Sequence, residues 1–360
     1  MANWQRIEVA SSRPYPIFLG VTLEGLGEYL QSRSTAFDKI LIITNPIIAD
    51  HYLSRLSEGL MDFKVHSLLV PEGEEQKSLD RLNQLTTEAM RLGADRGTLV
   101  LALGGGVIGD LAGFFASVFM RGVSFIQAPT TLLAQVDSSI GGKVAVNHPA
   151  GKNILGAFYP PLAVWSDFST LETLPWLEVQ NGLAETIKHA LIADQEFFSY
   201  LEKHIEAIRQ RNTAVWREMV TRSLAVKVKK VSEDELEQGP RALLNLGHSF
   251  GHALETELKY KGITHGQGVS VGLVAAAYLA KGRGLLTSAE LERIIALLQG
   301  FDLMTKVESE DPERLLQHMQ SDKKNQAGRK VLISPKGIGQ TVILKDCTDQ
   351  EILTAWQGVL

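Results

Sequence analysis

The 360 residues carry 44% hydrophobic and 21% charged side chains, with a formal net charge of −5 at pH 7. That balance belongs to a globular protein long enough for two ordinary cores, and it offers no basic footprint for nucleic acid or an acidic membrane. A lone cysteine, Cys347, excludes an internal disulfide and a cysteine-ligated structural zinc, and suits a reducing, cytoplasmic setting.

The opening stretch "MANWQRIEVASSRPYPIFLG" has no basic end followed by an apolar run, so no secretory signal is expected. Short β-type runs follow, each ending in turn or hydroxyl residues: "KILIITN" (39–45), "TLVLALGGG" (98–106) and "VSFIQAPTT" (123–131). Even the most apolar of them, near Leu99 to Leu103, is too short to span a bilayer. Amphipathic segments such as "SLDRLNQLTTEAMRLGA" (78–94) lie between them. Strands alternating with helices predict βαβ units and a parallel sheet, whose ligands bind beyond the carboxyl ends of the strands. This groups Asn45, Gly104 to Asp110 and Thr130–Thr131 at one edge.

Within "LALGGGVIGDLAGFF", Gly104, Gly106 and Gly109 satisfy G-x-G-x-x-G, a loop that brings backbone N–H groups to a pyrophosphate at a helix N-terminus. The acidic residue expected at the end of the next strand is missing, because that strand ends in "APTT". The loop also falls mid-way through the α/β half rather than at its first βα turn. Asn45 and "PEGEEQK" (71–77) are alternative holders of an adenosine. Next, "TTLLAQVDSSIGGKVAVNHPAGKN" (130–153) supplies Asp137, a Gly141–Gly142–Lys143 turn, Lys152 and Asn153, a donor-rich stretch suited to phosphate. It reads as a loop.

After "STLETLPW" (169–176) the pattern turns helical, in "EVQNGLAETIKHALIAD", "QEFFSYLEKHIEAIRQR", "GQGVSVGLVAAAYLAKGRG" and "SAELERIIALLQG". The domains are therefore placed at 1–176 and 177–360, α/β first and mostly helical second. "KVLISP" and "QTVILK" predict a small hairpin or stray strands near the end. Glu185 and Lys188 share a helical face among apolar neighbours, which predicts partial burial, and a buried carboxylate needs a cation. In "LLNLGHSFGHALETELKYKGITHGQG" (243–268), His248 and His252 stand one helical turn apart with Glu255 below them, and His265 follows on a glycine-flanked loop. Two helical histidines plus a third ligand make a metal site; spacing leaves open whether His252 or Glu255 takes part. The adjoining glycines Gly247, Gly251 and Gly266 would make room for an ion or substrate. Arg241, just upstream, is expected to grip a planar carboxylate, with Lys227 nearby in sequence.

Taken together, "LALGGGVIGDLAGFFA", "FMRGVSFIQAPTTLLAQVDSSIGGK", "NHPAGKN", "GLAETIKHALI", "EQGPRALLNLGHSFGHALE" and "HGQGVSVGL" resemble the 3-dehydroquinate synthase family, within the sugar phosphate cyclases. The resemblance runs in order from "PEGEEQK" to "DKK" (322–324). It implies a Rossmann-like NAD-binding domain, a helical metal- and substrate-binding domain, and an active site in the cleft between them. It also implies the conversion of 3-deoxy-D-arabino-heptulosonate 7-phosphate (DAHP) to 3-dehydroquinate and phosphate in the shikimate pathway. The reaction oxidises a ring hydroxyl transiently with NAD, eliminates phosphate, restores the alcohol and closes a new ring by an aldol step.

The same resemblance implies Glu185, His248 and His265 as ligands of zinc or cobalt, with His252 and Glu237 as proton-transfer groups. Lys188 and Asp137 would lie near the ring hydroxyls, and Lys227 and Arg241 on the substrate carboxylate. Arg121, Lys143, Asn153, Asn245 and Lys323 or Lys324 would hold phosphate, Arg121 reaching across a homodimer interface. NAD would be held by Glu72, Gly73, Glu74, Glu75, Gln76, Lys77, Gly106, Val107, Ile108, Gly109, Asp110, Thr130, Thr131, Lys143, Lys152, Thr170, Leu171, Glu172 and Thr173. The rival expectations are a cyclase of sedoheptulose 7-phosphate, which lacks the carboxylate, a metal-dependent dehydrogenase of the glycerol type, and a non-catalytic nucleotide-binding protein.

Overall fold

The computed structural model describes residues 4–33, 37–259, 262–308, 311–320 and 331–360. It falls into two compact units, residues 1–175 and 176–360.

In the first unit the strands are β1 (Gln5–Val9), β2 (Tyr15–Leu19), β3 (Lys39–Thr44), β4 (Lys64–Leu69), β5 (Thr98–Gly104), β6 (Phe125–Pro129), β7 (Lys143–His148), β8 (Gly151–Phe158) and β9 (Ala163–Ser166). The helices are α1 (Leu26–Gln31), α2 (Pro46–Gly59), α3 (Leu79–Arg91) and α4 (Gly106–Val118). A 7-stranded sheet runs β1-β2-β9-β6-β5-β3-β4. Every neighbouring pair is parallel except β1–β2. The interior strand β5, "TLVLALG", is buried along its whole length, as a parallel strand covered on both faces must be. Alternate side chains feed two cores. Leu41, Ile43, Val100 and Ala102 pack with α3 and α4, while Ile40, Ile42, Leu99, Leu101 and Leu103 pack with α1 and α2.

The order of the strands explains the odd position of the glycine loop in sequence. β4 lies on one side of β3 and β5 on the other, so the direction of winding reverses between β3 and β5. That reversal is where open α/β sheets hold their ligands. The β5–α4 glycines are therefore at the switch point although they follow a later strand. Asn45, at the end of β3, caps α2: its Oδ1 accepts from Ile48 N at 2.8 Å, with Pro46 at the first turn. Its carbonyl is thus committed to the helix it begins.

The 130–153 stretch is more ordered than its composition suggests. A single π-helical turn, Ala134–Ser138, holds Asp137, and π turns recur at functional sites. β7 and β8 then form an antiparallel hairpin with an irregularity between Val146 and His148. Val144 and Val146 from this hairpin are buried in the core shared with α4.

The second unit contains α5 (Trp176–Ala193), α6 (Gln195–Lys203), α7 (Ile205–Arg209), α8 (Thr213–Glu233), α9 (His248–Glu257), α10 (His265–Gly282), α11 (Ser288–Gly300), α12 (Pro312–Gln320) and α13 (Asp349–Gln357). The two late apolar runs pair as an antiparallel hairpin, β10 (Leu332–Pro335) with β11 (Thr341–Leu344). α10 is buried nearly all round, which marks a helix at the centre of its unit. Among the described residues no helix is long and apolar enough to cross a membrane.

Candidate active site

Three side chains of the second unit converge on one point. Glu185 projects from the middle of α5, His248 opens α9, and His265 opens α10. Their ligand atoms all lie within 4.8 Å of one another. The Nε2 of His248 is 3.6 Å, and that of His265 3.5 Å, from Glu185 Oε1. These separations are too long for hydrogen bonds, but two atoms bound tetrahedrally to zinc at its usual bond lengths stand about 3.3 Å apart. The residues fit an ion. Each histidine turns its other nitrogen away from that point: His248 Nδ1 is 3.3 Å from Leu246 O, and His265 Nδ1 is 3.1 Å from Glu255 Oε1. Nδ1–H bonds of this kind leave Nε2 bare for a metal.

The electrostatics point the same way. Glu185 is 0% exposed and Lys188 1%, so the pair is buried completely rather than in part. Lys188 Nζ forms an ion pair with Glu185 Oε2, while Oε1 is the oxygen nearest both histidines. Burial, followed by the Lys188 charge, holds the His248 ring well below the usual histidine range, so it remains a neutral donor. Burial opposes charge on His265, but the two carboxylates facing its nitrogens, Glu185 and Glu255, outweigh that effect and raise its pKa to about 10. The environment of His265 thus calls for a positive charge.

The glycines of the two histidine segments serve a purpose other than making room for a ligand. A Cβ on Gly272 would lie 2.0 Å from Gly247 O, and one on Gly251 would lie 2.8 Å from Gly268 O. α9 and α10 therefore touch main chain to main chain. Likewise a Cβ on Gly266 would lie 2.4 Å from the Cα of Asn181, whose Oδ1 accepts from Gly266 N at 3.1 Å. Gly247 itself has φ 79°, and it separates the 3₁₀ turn Pro240–Asn245 from α9. Gly272→Ala is expected to cost about 1–3 kcal/mol, as overpacking does; a urea titration showing an unchanged midpoint would refute this close contact.

His265 is not on a loop. It is the first residue of α10, behind a capping box in which Thr264 and Gln267 bond reciprocally. His252, one turn along α9 from His248, is exposed, its ring centroid 5.4 Å from that of His248 and 6.5 Å from that of His265. An alternative ligand set, His252, Glu255 and His265, is also close enough to hold an ion. Glu237 has φ 58° and accepts a hydrogen bond from Asn245 Nδ2. Arg241 is 1% exposed and Lys227 8%; the Arg241 guanidinium donates to the Glu235 carbonyl. Lys323 and Lys324 lie outside the described residues.

In the first unit, the stretches expected to hold NAD gather at the carboxyl edge of the sheet. Gly106 to Asp110 form the first turn of α4, and a Cβ on Gly109 would lie 2.7 Å from Gln127 of β6, so this glycine lets the helix sit close on the sheet. Thr130 N donates to Gly104 O at 3.0 Å, and Thr131 Oγ1 accepts from Ala134 N at 3.1 Å at the entry to the π turn. Thr170 Oγ1 donates to Asp167 O at 2.7 Å, and Thr173 is hydrogen-bonded to Tyr52. Glu72 and Gly73 precede a 3₁₀ turn of Glu74, Glu75 and Gln76. Lys77 ends that turn, buried, with Nζ 2.8 Å from Asp110 Oδ2 and 2.6 Å from Asn153 Oδ1. Burial works against this ammonium, but Asp110 and Glu74 outweigh it and raise its pKa. Lys143 is exposed at the start of β7, Lys152 half-buried in β8. Arg121 and Asn153 have φ of 68° and 54°, strained values for residues other than glycine.

Family models match both halves: 3-dehydroquinate synthase N-terminal over residues 67–181, and 3-dehydroquinate synthase C-terminal over 182–325. The chain is 46% identical over 356 residues to the 3-dehydroquinate synthase of Shewanella pealeana, covering 97% of this chain and 98% of that one. The chain belongs to the 3-dehydroquinate synthase family. Solved structures of related cyclases share its fold at lower identity. 2-Epi-5-epi-valiolone synthase from Streptomyces hygroscopicus subsp. jinggangensis, with NAD+ and Zn2+ bound, has a TM-score of 0.87 at 27% identity over 99% of each chain. 2-Deoxy-scyllo-inosose synthase, complexed with carbaglucose-6-phosphate, NAD+ and Co2+, has a TM-score of 0.84 at 26% identity, over 99% of this chain and 100% of that one. Sequence spacing left open whether His252 or Glu255 takes part; the contact of Glu255 with His265 Nδ1, ten residues on, sets it apart from the other carboxylates.

Proposed function

We propose that the chain converts DAHP to 3-dehydroquinate and inorganic phosphate, as a carbon–oxygen lyase that uses NAD transiently and one divalent ion, zinc or cobalt. One observation carries this reading: in a chain 46% identical to a 3-dehydroquinate synthase over nearly its whole length, Glu185, His248 and His265 stand at co-ligand distances. Related cyclase structures have NAD+ bound together with Zn2+ or Co2+.

Glu185 Oε1 and the two Nε2 atoms would hold the ion with positions left open for substrate oxygens. When bound, the ion stabilises negative charge on a substrate oxygen and the nicotinamide accepts and returns a hydride. The chain supplies the rest. The backbone N–H groups at the start of α4 suit the pyrophosphate of the dinucleotide, flanked by Glu72 to Lys77, Thr130, Thr131, Lys152 and Thr170 to Thr173. Lys227 and Arg241 grip the substrate carboxylate, Arg241 by two parallel N–H groups. Lys143, Asn153, Asn245 and Lys323 hold the phosphate, with Arg121 supplied by the partner in a homodimer. Asp137 and Lys188 orient the ring hydroxyls. A C–H beside a ketone is acidic, so oxidation must precede loss of phosphate, and a proton acceptor is then needed. His252, exposed on α9, takes that part, and Glu237, held by Asn245, is the second proton carrier.

The purified protein, given NAD and Zn2+ or Co2+, is expected to release phosphate from DAHP with no net NADH. Steady accumulation of NADH would instead assign a dehydrogenase. Phosphate release from sedoheptulose 7-phosphate but not from DAHP would assign the other cyclase activity.

A further inference from the structure

His265 stands between two carboxylates. Glu185 faces its Nε2 at 3.5 Å and Glu255 its Nδ1 at 3.1 Å. Glu255 is 3% exposed, a burial that a carboxylate tolerates only with a specific partner. Its place follows from the backbone contact of α9 with α10. A Cβ on Gly268 would lie 3.2 Å from Glu255 Oε1, so the carboxylate reaches His265 through the space that this glycine leaves. The main chain beside His265 is held separately, by Gly266 N donating to Asn181 Oδ1 from α5. The ring is thus fixed at both its backbone and its Nδ1.

We propose that Glu255 is a positioning residue for the ion: it fixes His265 in the Nδ1–H form, aims Nε2 at the point shared with Glu185 and His248, and makes that nitrogen a stronger donor. Glu255 is not a ligand. The inference rests on the ion site proposed above. Glu185 and Glu255 supply two negative charges, and Lys188 balances the first. An N–H···carboxylate bond behind a ligating imidazole raises its basicity, and loss of such a partner weakens metal affinity about 10–100-fold.

The test uses full-length protein and Co2+ as the probe. Affinity is read by chelator competition and ligand geometry by the visible spectrum of the bound cobalt. Wild-type protein should bind one equivalent and His265→Ala none; failure there removes the ion site itself, and with it the function proposed above. Given that result, Glu255→Gln keeps an oxygen acceptor but loses the charge, and should weaken Co2+ binding about 10-fold with a small spectral shift. Glu255→Ala should weaken it about 100-fold. Ion-free Glu255→Gln should keep the wild-type circular dichroism spectrum and elution volume, which separates positioning from a general structural role. Wild-type affinity and spectrum in Glu255→Gln would overturn the proposal even if Glu255→Ala fails to fold. So would complete loss of cobalt from Glu255→Gln together with its retention by His248→Ala, because the ion would then sit on His252, Glu255 and His265.

Discussion

Alanine in place of His248 or His265 is expected to give a folded protein that retains no zinc or cobalt through gel filtration. DAHP-dependent phosphate release should fall by about 10²–10³-fold or more, the cost of losing an electrostatic stabiliser of the reacting oxygen. His252→Ala should behave differently. Its ring is exposed on α9, while the rings of His248 and His265 approach Glu185. It should therefore keep the metal and lose about 10²–10⁴-fold in rate, as general acid–base groups do. Metal analysis beside the phosphate assay distinguishes the two classes. An empty site in His252→Ala would exchange the roles assigned to these histidines.

The second large effect is on stability. Lys188→Met is expected to destabilise the ion-free protein by about 3–5 kcal/mol, because it leaves the Glu185 carboxylate buried without its partner. Added zinc should recover much of that loss. An ion bound only by the folded state adds to its stability, and the ion takes over the compensation that Lys188 provides. Urea unfolding in chelator and in zinc measures both terms. The same Lys188→Met deficit with and without zinc would mean that the ion and the ammonium do not share Glu185.

Much of this architecture could be read from the chain, and the parts that could not have a common cause. Buried β-branched runs such as "KILIIT", and the helical spacing of "GLAETIKHALI", are local patterns, and they fold as β3 and α5. The β7–β8 hairpin escaped notice because "KVAVNH" is short and follows Gly-Gly; its valines matter through α4, thirty residues earlier in the chain. The start of α10 did leave a mark: Thr264 followed three residues later by Gln267 is a capping box, which places His265 on a helix. The glycines near the histidines invite the idea of an opening for a ligand. Their actual neighbours are the main chain of the opposite helix and Asn181, contacts on which local sequence is silent. For Glu255, spacing from His248 and His252 marked a candidate, but its contact with His265 is not local, and Glu257 two residues on meets Arg314 and His318 on α12 instead.

The seam between Gly247 and Gly272 has a mechanical corollary. Helices held apart by side chains can change their spacing when a rotamer switches, but peptide groups in direct contact have no rotamer to switch. On that flank the main-chain spacing of α9 and α10 is set by direct contact between peptide groups. A helix-to-helix adjustment as a substrate oxygen joins the ion is then expected from α5, through the carboxylate of Glu185, and isotope-edited infrared bands of that one side chain are the place to look for it.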